Sequence, residues 1–510
     1  MKRIKKTREQ IVFHPIIAFC ILILIVVIIS GILTLFNISS TYSTISNTGS
    51  YVKELVKPFN LFSLSGLKFI FSNAVSNFAS FTPLSMLIIT LFGIGIMDKS
   101  GFLDSLFYVL TKNGSKKTVT FILSLVSILS SIGGDLSYII LIPLSALLFK
   151  YGKRNPKAGI VCAFAGLSCG IGINIFMSSI DSTLLGYTNL ASNLLIKDYS
   201  VGTLSYVLVM LVAAISMAFI NTAITEKIVV PKLGHYENLD EKEDYLTKKE
   251  KRGLLIASFA GLIYLLIFIY NIIPGAPLGG NLLDYSQKLY IDKLFGYNSF
   301  FNHGFVFVVT LLFFILGLTY GISTKSIKDQ KDMGEALSYS LDKIGNVLVL
   351  IFFASTLSFI FKKSNIGILI TAGLTNLIGN STFTNVPLIM LLLFSSIVAT
   401  LFIPGSVNKW AIMSGTVVPV FMNAGLSPEF ATLVFRAGEC VSYGLTPLMA
   451  YFVIYLAFLE LYSTSKNEGI FGAIKYIIPY SVGTLLMWIV IIILFYIIGI
   501  PFGVGAFPGL

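Results

Sequence analysis

The sequence predicts an all-α polytopic membrane protein, with about nine transmembrane helices plus two re-entrant hairpins in an inverted repeat. Three observations carry that expectation. Hydrophobic residues make up 55% of the 510 positions and charged residues 12%, with a mean hydropathy of +0.86, more apolar surface than a water-soluble core can bury. The apolar residues fall in runs close to the roughly 20 residues that cross a bilayer. Several runs are interrupted midway by Gly, Pro and charged residues, which lipid tolerates only where protein or water surrounds them.

The net charge of +12 is distributed through short loops between apolar runs, the positive-inside pattern rather than a nucleic-acid patch. Lys2, Arg3, Lys5, Lys6 and Arg8 place the N-terminus in the cytoplasm. The following run, 11 to 36, is too long for a signal-peptide core and lacks an A-x-A site, so it is expected to stay as the first helix. Cys20, Cys162, Cys169 and Cys440 lie within apolar runs and predict no disulfide, and His14, His235 and His303 form no metal constellation.

Beyond the first helix, a polar Ser/Thr-rich stretch leads to an amphipathic segment around 60 to 80 and a second helix at about 82 to 97. Residues 118 to 149 are apolar except for Ser130-Ser131-Ile132-Gly133-Gly134-Asp135, and basic residues flank both ends. A single crossing would put one basic end outside, so this stretch is expected to enter and leave from the cytoplasm as a re-entrant hairpin. A third helix, 158 to about 186, should be locally unwound around Gly170, Gly172, Asn174, Ser178, Ser179 and Asp181. A fourth helix (201 to 224), a charged cytoplasmic loop (226 to 252), a fifth (253 to 273) and a sixth (302 to 322) follow.

The order then recurs: an amphipathic stretch (325 to 344), a seventh helix (345 to 361), a broken apolar region at 383 to 425, and a helix at 430 to 462 interrupted near Arg436–Glu439 and Pro447. Alternation puts the second hairpin on the outer side, and a last helix (476 to 499) leaves the C-terminus outside. The chain thus divides into a first repeat (1–225), a connecting region (226–300) and a second repeat (301–510) of opposite orientation. A faint echo, Met97-Asp98-Lys99-Ser100-Gly101 against Phe361-Lys362-Lys363-Ser364-Asn365, falls at equivalent points of the two halves.

Where discontinuous helices meet at mid-membrane, helix N-termini and unwound carbonyls are available to a solute and a coupling ion. The breaks at 130–135, 170–181, 404–410 and 436–447 are therefore expected to converge. They hold Asp135, Asp181, Lys409, Arg436 and Glu439, each costing about 2.5–3.5 kcal/mol at the centre of a spanning helix. Two readings compete. Either the charges neutralise one another, as Arg436 and Glu439 one turn apart can, or Lys409 and Arg436 receive solute carboxylates while Asp135, Asp181 and Glu439 handle the coupling ion. A Na⁺ site near Ser131, Asp135, Asn174 and Asp181 is the alternative to a proton. Asn174, Ser406 and Asn408 complete the expected polar lining. Trp410 either stacks on an aromatic solute or anchors a helix, and Pro428 has the position of a helix first residue. Gly166-Leu167-Ser168-Cys169-Gly170 matches the G-x-S-x-G pattern of serine hydrolases but lacks a preceding soluble strand and a triad histidine.

At these same residues the chain resembles the p-aminobenzoyl-glutamate transporter (AbgT) family over nearly its whole length. The strongest stretches are 155 to 186 (NPKAGIVCAFAGLSCGIGINIFMSSIDSTLLG), 402 to 430 (FIPGSVNKWAIMSGTVVPVFMNAGLSPEF) and 436 to 449 (RAGECVSYGLTPLM). The resemblance implies nine transmembrane helices, two hairpins, a homodimer in the bacterial inner membrane, and a solute path at Asp181, Trp410, Pro428, Arg436 and Glu439. It also implies p-aminobenzoyl-glutamate uptake or proton-driven sulfonamide efflux, with no cofactor beyond a coupling ion. Family members commonly carry Asp where this chain has Glu439, and small residues where it has Val407 and Asn408. The expected partners are a small aromatic carboxylate and the lipid bilayer, with no nucleic acid. A C4-dicarboxylate or other organic-anion carrier is the alternative within transport, and a membrane-embedded enzyme acting on a lipid-linked substrate the alternative outside it. The absence of a G-x-x-x-x-G-K-[ST] motif argues against a nucleotide-driven pump.

Overall fold

The computed structural model describes residues 13–45, 51–112, 114–175, 177–234, 236, 246–296, 298–342, 344–463 and 468–510. Several of its helices begin where the sequence supplies N-terminal chemistry. Pro15 opens α1 (Pro15–Leu35) behind a His14 cap, and Ser63 caps α2 (Leu64–Ala79), which runs into α3 (Thr82–Lys99). Between α1 and α2 lies an antiparallel ribbon, β1 (Ser40–Ile45) and β2 (Tyr51–Val56), which the sequence reading left as a polar stretch. Its β-branched Thr41, Thr44 and Val52 favour extended backbone, and the Asn376 amide donates to Thr41 O (3.1 Å), docking the ribbon on the second half of the chain.

The first helix pair follows α4 (Phe102–Lys112). It consists of α5 (Lys116–Leu129), capped by Ser115, a 3₁₀ turn at Ser130–Gly133, and α6 (Asp135–Tyr151). Gly134 joins turn to helix at φ +57°, a left-handed conformation that glycine adopts without a Cβ penalty. The chain then forms α7 (Pro156–Cys169), breaks, and resumes as α8 (Ser179–Ser192). Next come α9 (Val207–Ile224), a π-helical turn at Thr225–Val229, and the short α10 (Val230–Leu233). Arg154, just after α6, pairs with Glu226 in that π turn (2.5 Å), tying the base of the first pair to α9.

In the connecting region, α11 (Lys248–Tyr270), the short α12 (Tyr290–Phe295) and α13 (Phe300–Thr324) lead to α14 (Gln330–Ser338), with α13 packed on α3 and α11. The second half contains α15 (Gly345–Ser364) against α1, α16 (Ile366–Gly379), and a second helix pair, α17 (Asn385–Phe402) and α18 (Ser406–Asn423), turning at Ile403-Pro404-Gly405. It closes with α19 (Pro428–Ser442), a break after Ser442, α20 (Phe452–Leu461) and α21 (Gly469–Ile498). Helix α19 runs unbroken through Arg436–Glu439, where an interruption was expected, because those charges are paired by neighbouring helices.

Among the described residues, 9 helical stretches are long and apolar enough to cross a membrane, matching the expected number but not the expected membership. Lys116–Gly133 and Asn385–Phe402, arms of the two helix pairs, satisfy the length and hydropathy requirement. The helices expected at 158–186 and 430–462 do not, because each is cut into short pieces such as Pro156–Cys169 and Phe452–Leu461. A second departure lies at the C-terminus, which folds back over the turn joining α18 and α19. Ser427 N donates to Pro508 O (3.0 Å), Ser427 Oγ to Phe507 O (2.5 Å), and Phe502 is fully buried against Phe430.

The helix pairs are held against the broken helices by close backbone approach. A Cβ at Gly438 would lie 2.8 Å from the Leu393 carbonyl and 2.7 Å from Ser396 Oγ, whose hydroxyl donates across the same crossing to Phe435 O (2.7 Å). Gly438→Ala should therefore destabilise the fold by about 1–3 kcal/mol through overpacking. Gly373→Ala, on an exposed helix face with nothing within 4 Å, should be neutral or stabilising. Thermal unfolding of both variants in detergent distinguishes the two effects.

Candidate functional site

Each break places a different kind of group toward the same interior region. At the α7–α8 break, Ser178 and Asp181 form a reciprocal capping box, the S-x-x-D spacing that opens a helix. Asp181 Oδ2 accepts from Ser178 N (3.1 Å), Ser178 Oγ (2.7 Å) and Asn174 Nδ2 (2.8 Å). Asn174 Oδ1 accepts in turn from Ser131 Oγ (2.6 Å), joining the first turn to the α7–α8 break.

The other Asp181 oxygen lies 3.1 Å from Arg436 Nη2 on α19. Arg436 also donates to the Ile171 carbonyl (2.9 Å), an unwound acceptor released by the break, and to Ser406 Oγ on α18 (3.0 Å). Gly172 makes room for this side chain, since a Cβ there would sit 3.3 Å from both Arg436 Cβ and Nε. One turn on, Glu439 accepts from Arg436 through Oε2 (2.6 Å) and pairs through Oε1 with Lys409 Nζ (2.7 Å). Lys409 donates to Thr400 Oγ1 (2.8 Å) on the opposite arm of the second pair. Asp181, Arg436, Glu439 and Lys409 thus form one chain of alternating charge, two acids and two bases, spanning α8, α19 and α18.

Burial along this chain is graded. The side chains of Lys409 and Glu439 are 0% exposed, that of Arg436 4%, and that of Asp181 20%. Sequence reasoning identified all four but left open whether they neutralise one another. In this conformation they do, with Lys409 fully enclosed and Arg436 lining a crevice, its Nε buried without a hydrogen-bond partner. Thr400 and the Ser178 cap were not among the expected site residues. The S-x-x-D spacing at 178–181 was legible, whereas Thr400 belongs to the site only because α17 and α18 lie side by side.

A cavity of about 190 Å³ lies between the two turns, lined by Ser131, Gly134, Asp135, Asn174, Ser406 and Asn408 among others. The N-termini of α6 and α18 both open onto it without side-chain caps, a favourable arrangement for negative charge. Asp135, the remaining acid named from sequence, does not join the ion chain. It is exposed into the cavity and lies against the Tyr451 hydroxyl, beside the Tyr138–Tyr451 stack (5.2 Å between centroids). A narrow crevice lined by Gly172, Asp181, Tyr206, Thr432 and Arg436 reaches the same charges from the α9 side.

Trp410 and Pro428 both occupy helix-packing positions in this structure. Trp410 is fully buried, stacked at a tilt on Phe435 (4.6 Å), and donates through Nε1 to Thr188 Oγ1 (2.9 Å), whose hydroxyl is 2.9 Å from that of Thr432. Here it is a helix anchor. Pro428 occupies the first position of α19, at the turn clasped by the C-terminal segment.

Paired helix turns, two interrupted helices and a neutralised ion chain, together with 9 helical stretches among the described residues that are long and apolar enough to cross a membrane, are the features of a multi-pass membrane transporter. The chain belongs to the AbgT putative transporter family, whose profile matches residues 2–510. The p-aminobenzoyl-glutamate transport protein of Escherichia coli (strain K12) is 28% identical over 498 residues, covering 98% of this chain and 94% of that one. Two solved structures are similar. The Alcanivorax borkumensis YdaH transporter is 26% identical, covering 96% of this chain and 100% of that one, with a TM-score of 0.48. Neisseria gonorrhoeae MtrF, described within a class of antimetabolite efflux pumps, is 29% identical, covering 98% of each, with a TM-score of 0.48. Family membership sets the membrane-enzyme alternative aside.

The alternating charges make a specific stability prediction. Lys409→Met leaves Glu439 with one cation fewer in a site closed to water and should cost about 3–5 kcal/mol. Adding Glu439→Gln restores neutrality, leaving the Asp181–Arg436 pair, and should recover most of that loss. Thermal unfolding of the single and double variants in matched detergent tests this.

Proposed function

We propose that this protein is a secondary active transporter of p-aminobenzoyl-glutamate or a related aromatic carboxylate, including antifolate-like compounds, coupled to H⁺ or Na⁺. The observation that carries the reading is the graded ion chain. Asp181 is its most accessible member and holds Arg436, the group best shaped to grip a carboxylate in bidentate fashion. A proton or Na⁺ arriving at Asp181 cancels its charge and leaves Arg436 short of one anion. A solute carboxylate restores the balance, so solute and cation are favoured together. Neither alone leaves the site neutral, and that mutual dependence is coupling in electrostatic form.

For Na⁺, the oxygens of Ser131, Asn174 and Asp181 are gathered at one place, with Asp135 on the same cavity wall. For H⁺, Asp181 alone suffices, with Glu439 as a second acid held in reserve between Arg436 and Lys409. The two helix pairs are read as re-entrant hairpins of an inverted repeat, entering from opposite sides with their turns at the solute. Alternating access then moves the hairpins and broken helices against the remaining spans, in a homodimer of the inner membrane with the N-terminus cytoplasmic and the C-terminus outside. The direction of transport follows the gradients imposed.

Uptake of labelled p-aminobenzoyl-glutamate into proteoliposomes, with proton and sodium gradients applied separately, tests the reading. One gradient should drive accumulation above equilibrium. Arg436→Ala and Asp181→Asn should each lower the initial rate at least about tenfold, the scale of one lost charge-assisted contact at 1.4 kcal/mol or more. No accumulation under either gradient overturns the substrate assignment, and gradient-driven transport at the unaltered rate by Asp181→Asn overturns its coupling role.

A further inference from the structure

Next to the cavity between the turns lies a larger one of about 420 Å³, sharing Ser131, Gly134, Asp135, Ser178, Ile180 and Val407 with it. Its far wall comes from α12 and α13, elements the solute-site reading does not use. Phe295 of α12 and Phe301 and Phe305 of α13 line that wall. Phe305 stands edge-on to both other rings, with Phe295–Phe305 at 5.4 Å and 86° and Phe301–Phe305 at 5.6 Å and 84°, while Phe295 and Phe301 are tilted at 44° (6.0 Å). Phe295 and Phe305 are only half-buried, so part of their ring surface faces the cavity.

The wall is fixed to the solute-binding elements. Ser179 Oγ (3.2 Å) and Ser182 Oγ (2.8 Å), in the first turn of α8, donate to the two carboxylate oxygens of Asp292 in α12. The aromatic wall is therefore tied, through Asp292, to the first turn of α8, which also carries Asp181.

We propose that this phenylalanine wall is the subsite for the aromatic ring of the solute, a role that Trp410 cannot take while it is enclosed between Phe435 and Thr188. The inference rests on the aromatic-carboxylate reading above. The chemistry of the wall sets the orientation of the solute. Asp135 is the one charged side chain among the described lining residues and repels a carboxylate, whereas half-buried phenylalanine rings favour an uncharged aromatic ring in edge-to-face contact. The ring end therefore lodges at Phe295 and Phe305, and the carboxylate end is directed toward Arg436, beyond Asn174 and Asp181.

The test compares a ring with its saturated counterpart. Binding of benzoate and of cyclohexanecarboxylate, which carry the same single negative charge at neutral pH, to the full-length protein in lipid nanodiscs should differ at least about fivefold, the scale of one aromatic pair contact. The double variant Phe295→Leu/Phe305→Leu keeps apolar volume but removes the rings, and should bring the two affinities to parity while leaving that of the saturated acid unchanged. Equal affinity of the unaltered protein for both acids, or discrimination that survives in the variant, overturns the subsite. Loss of both acids to the same extent overturns it too, since it marks a structural role. Ring discrimination abolished by the variant, in a protein that fails to transport p-aminobenzoyl-glutamate, keeps the subsite and removes the transport substrate. Transport of that compound at unaltered affinity by the variant does the reverse.

Discussion

The structure is organised by the need to keep two acids and two bases neutral inside an apolar protein. A lone charge at that depth costs several kcal/mol, so each must be matched by an opposite charge and by hydrogen bonds to its remaining atoms. Glu439 meets this by using both oxygens, one on Lys409 and one on Arg436, while Arg436 reaches outward to Asp181, Ser406 and the Ile171 carbonyl. No single helix can provide such a set. The chain of charges is complete only when α8, α18 and α19 are side by side with the α7–α8 connection unwound, so the neutrality of the site and the packing of the core are one constraint.

That constraint explains why the helices are broken where they are. Unwinding between Cys169 and Ser179 frees a carbonyl for Arg436, leaves room for its side chain at Gly172, and gives Asp181 the capping position that orients it. The Glu439 side chain is long enough for one carboxylate to touch two cations that stand on different helices. The price of the arrangement is a site whose cations are already occupied. Under the proposed function, a solute carboxylate binds by exchange of partners rather than by capture on a free base.

Much of this was legible. The expense of charge in lipid singled out Asp181, Lys409, Arg436 and Glu439, and the i, i+3 spacing suggested the Arg436–Glu439 pair that the structure contains. The capping chemistry of Ser178 and Asp181 is also local and readable. Other features were not. Trp410 reads equally as a stacking platform or an anchor, and only its neighbours Phe435 and Thr188, from two other helices, decide. The ribbon at 40–56 carries a weak two-residue alternation that a polar composition hides, and the fold-back of residues 500–510 depends on main-chain partners near Gly425 and Leu204, far away in sequence.

The sequence by itself located the α7–α8 break and the two turns, but not the second interrupted helix, where α19 continues through Arg436–Glu439 to Ser442. It determined the solvent, the number of apolar spans among the described residues and the residues that are costly to bury. These follow from hydropathy, glycine and proline content and the cost of charge, all properties of short stretches. Tertiary structure decided which charges face each other, that Asp135 stands apart from the ion chain, that Trp410 is enclosed, and that the aromatic wall beside the turns comes from α12 and α13. Contacts between segments hundreds of residues apart depend on how helices pack against one another, and no local pattern encodes which side chain a neighbour will present.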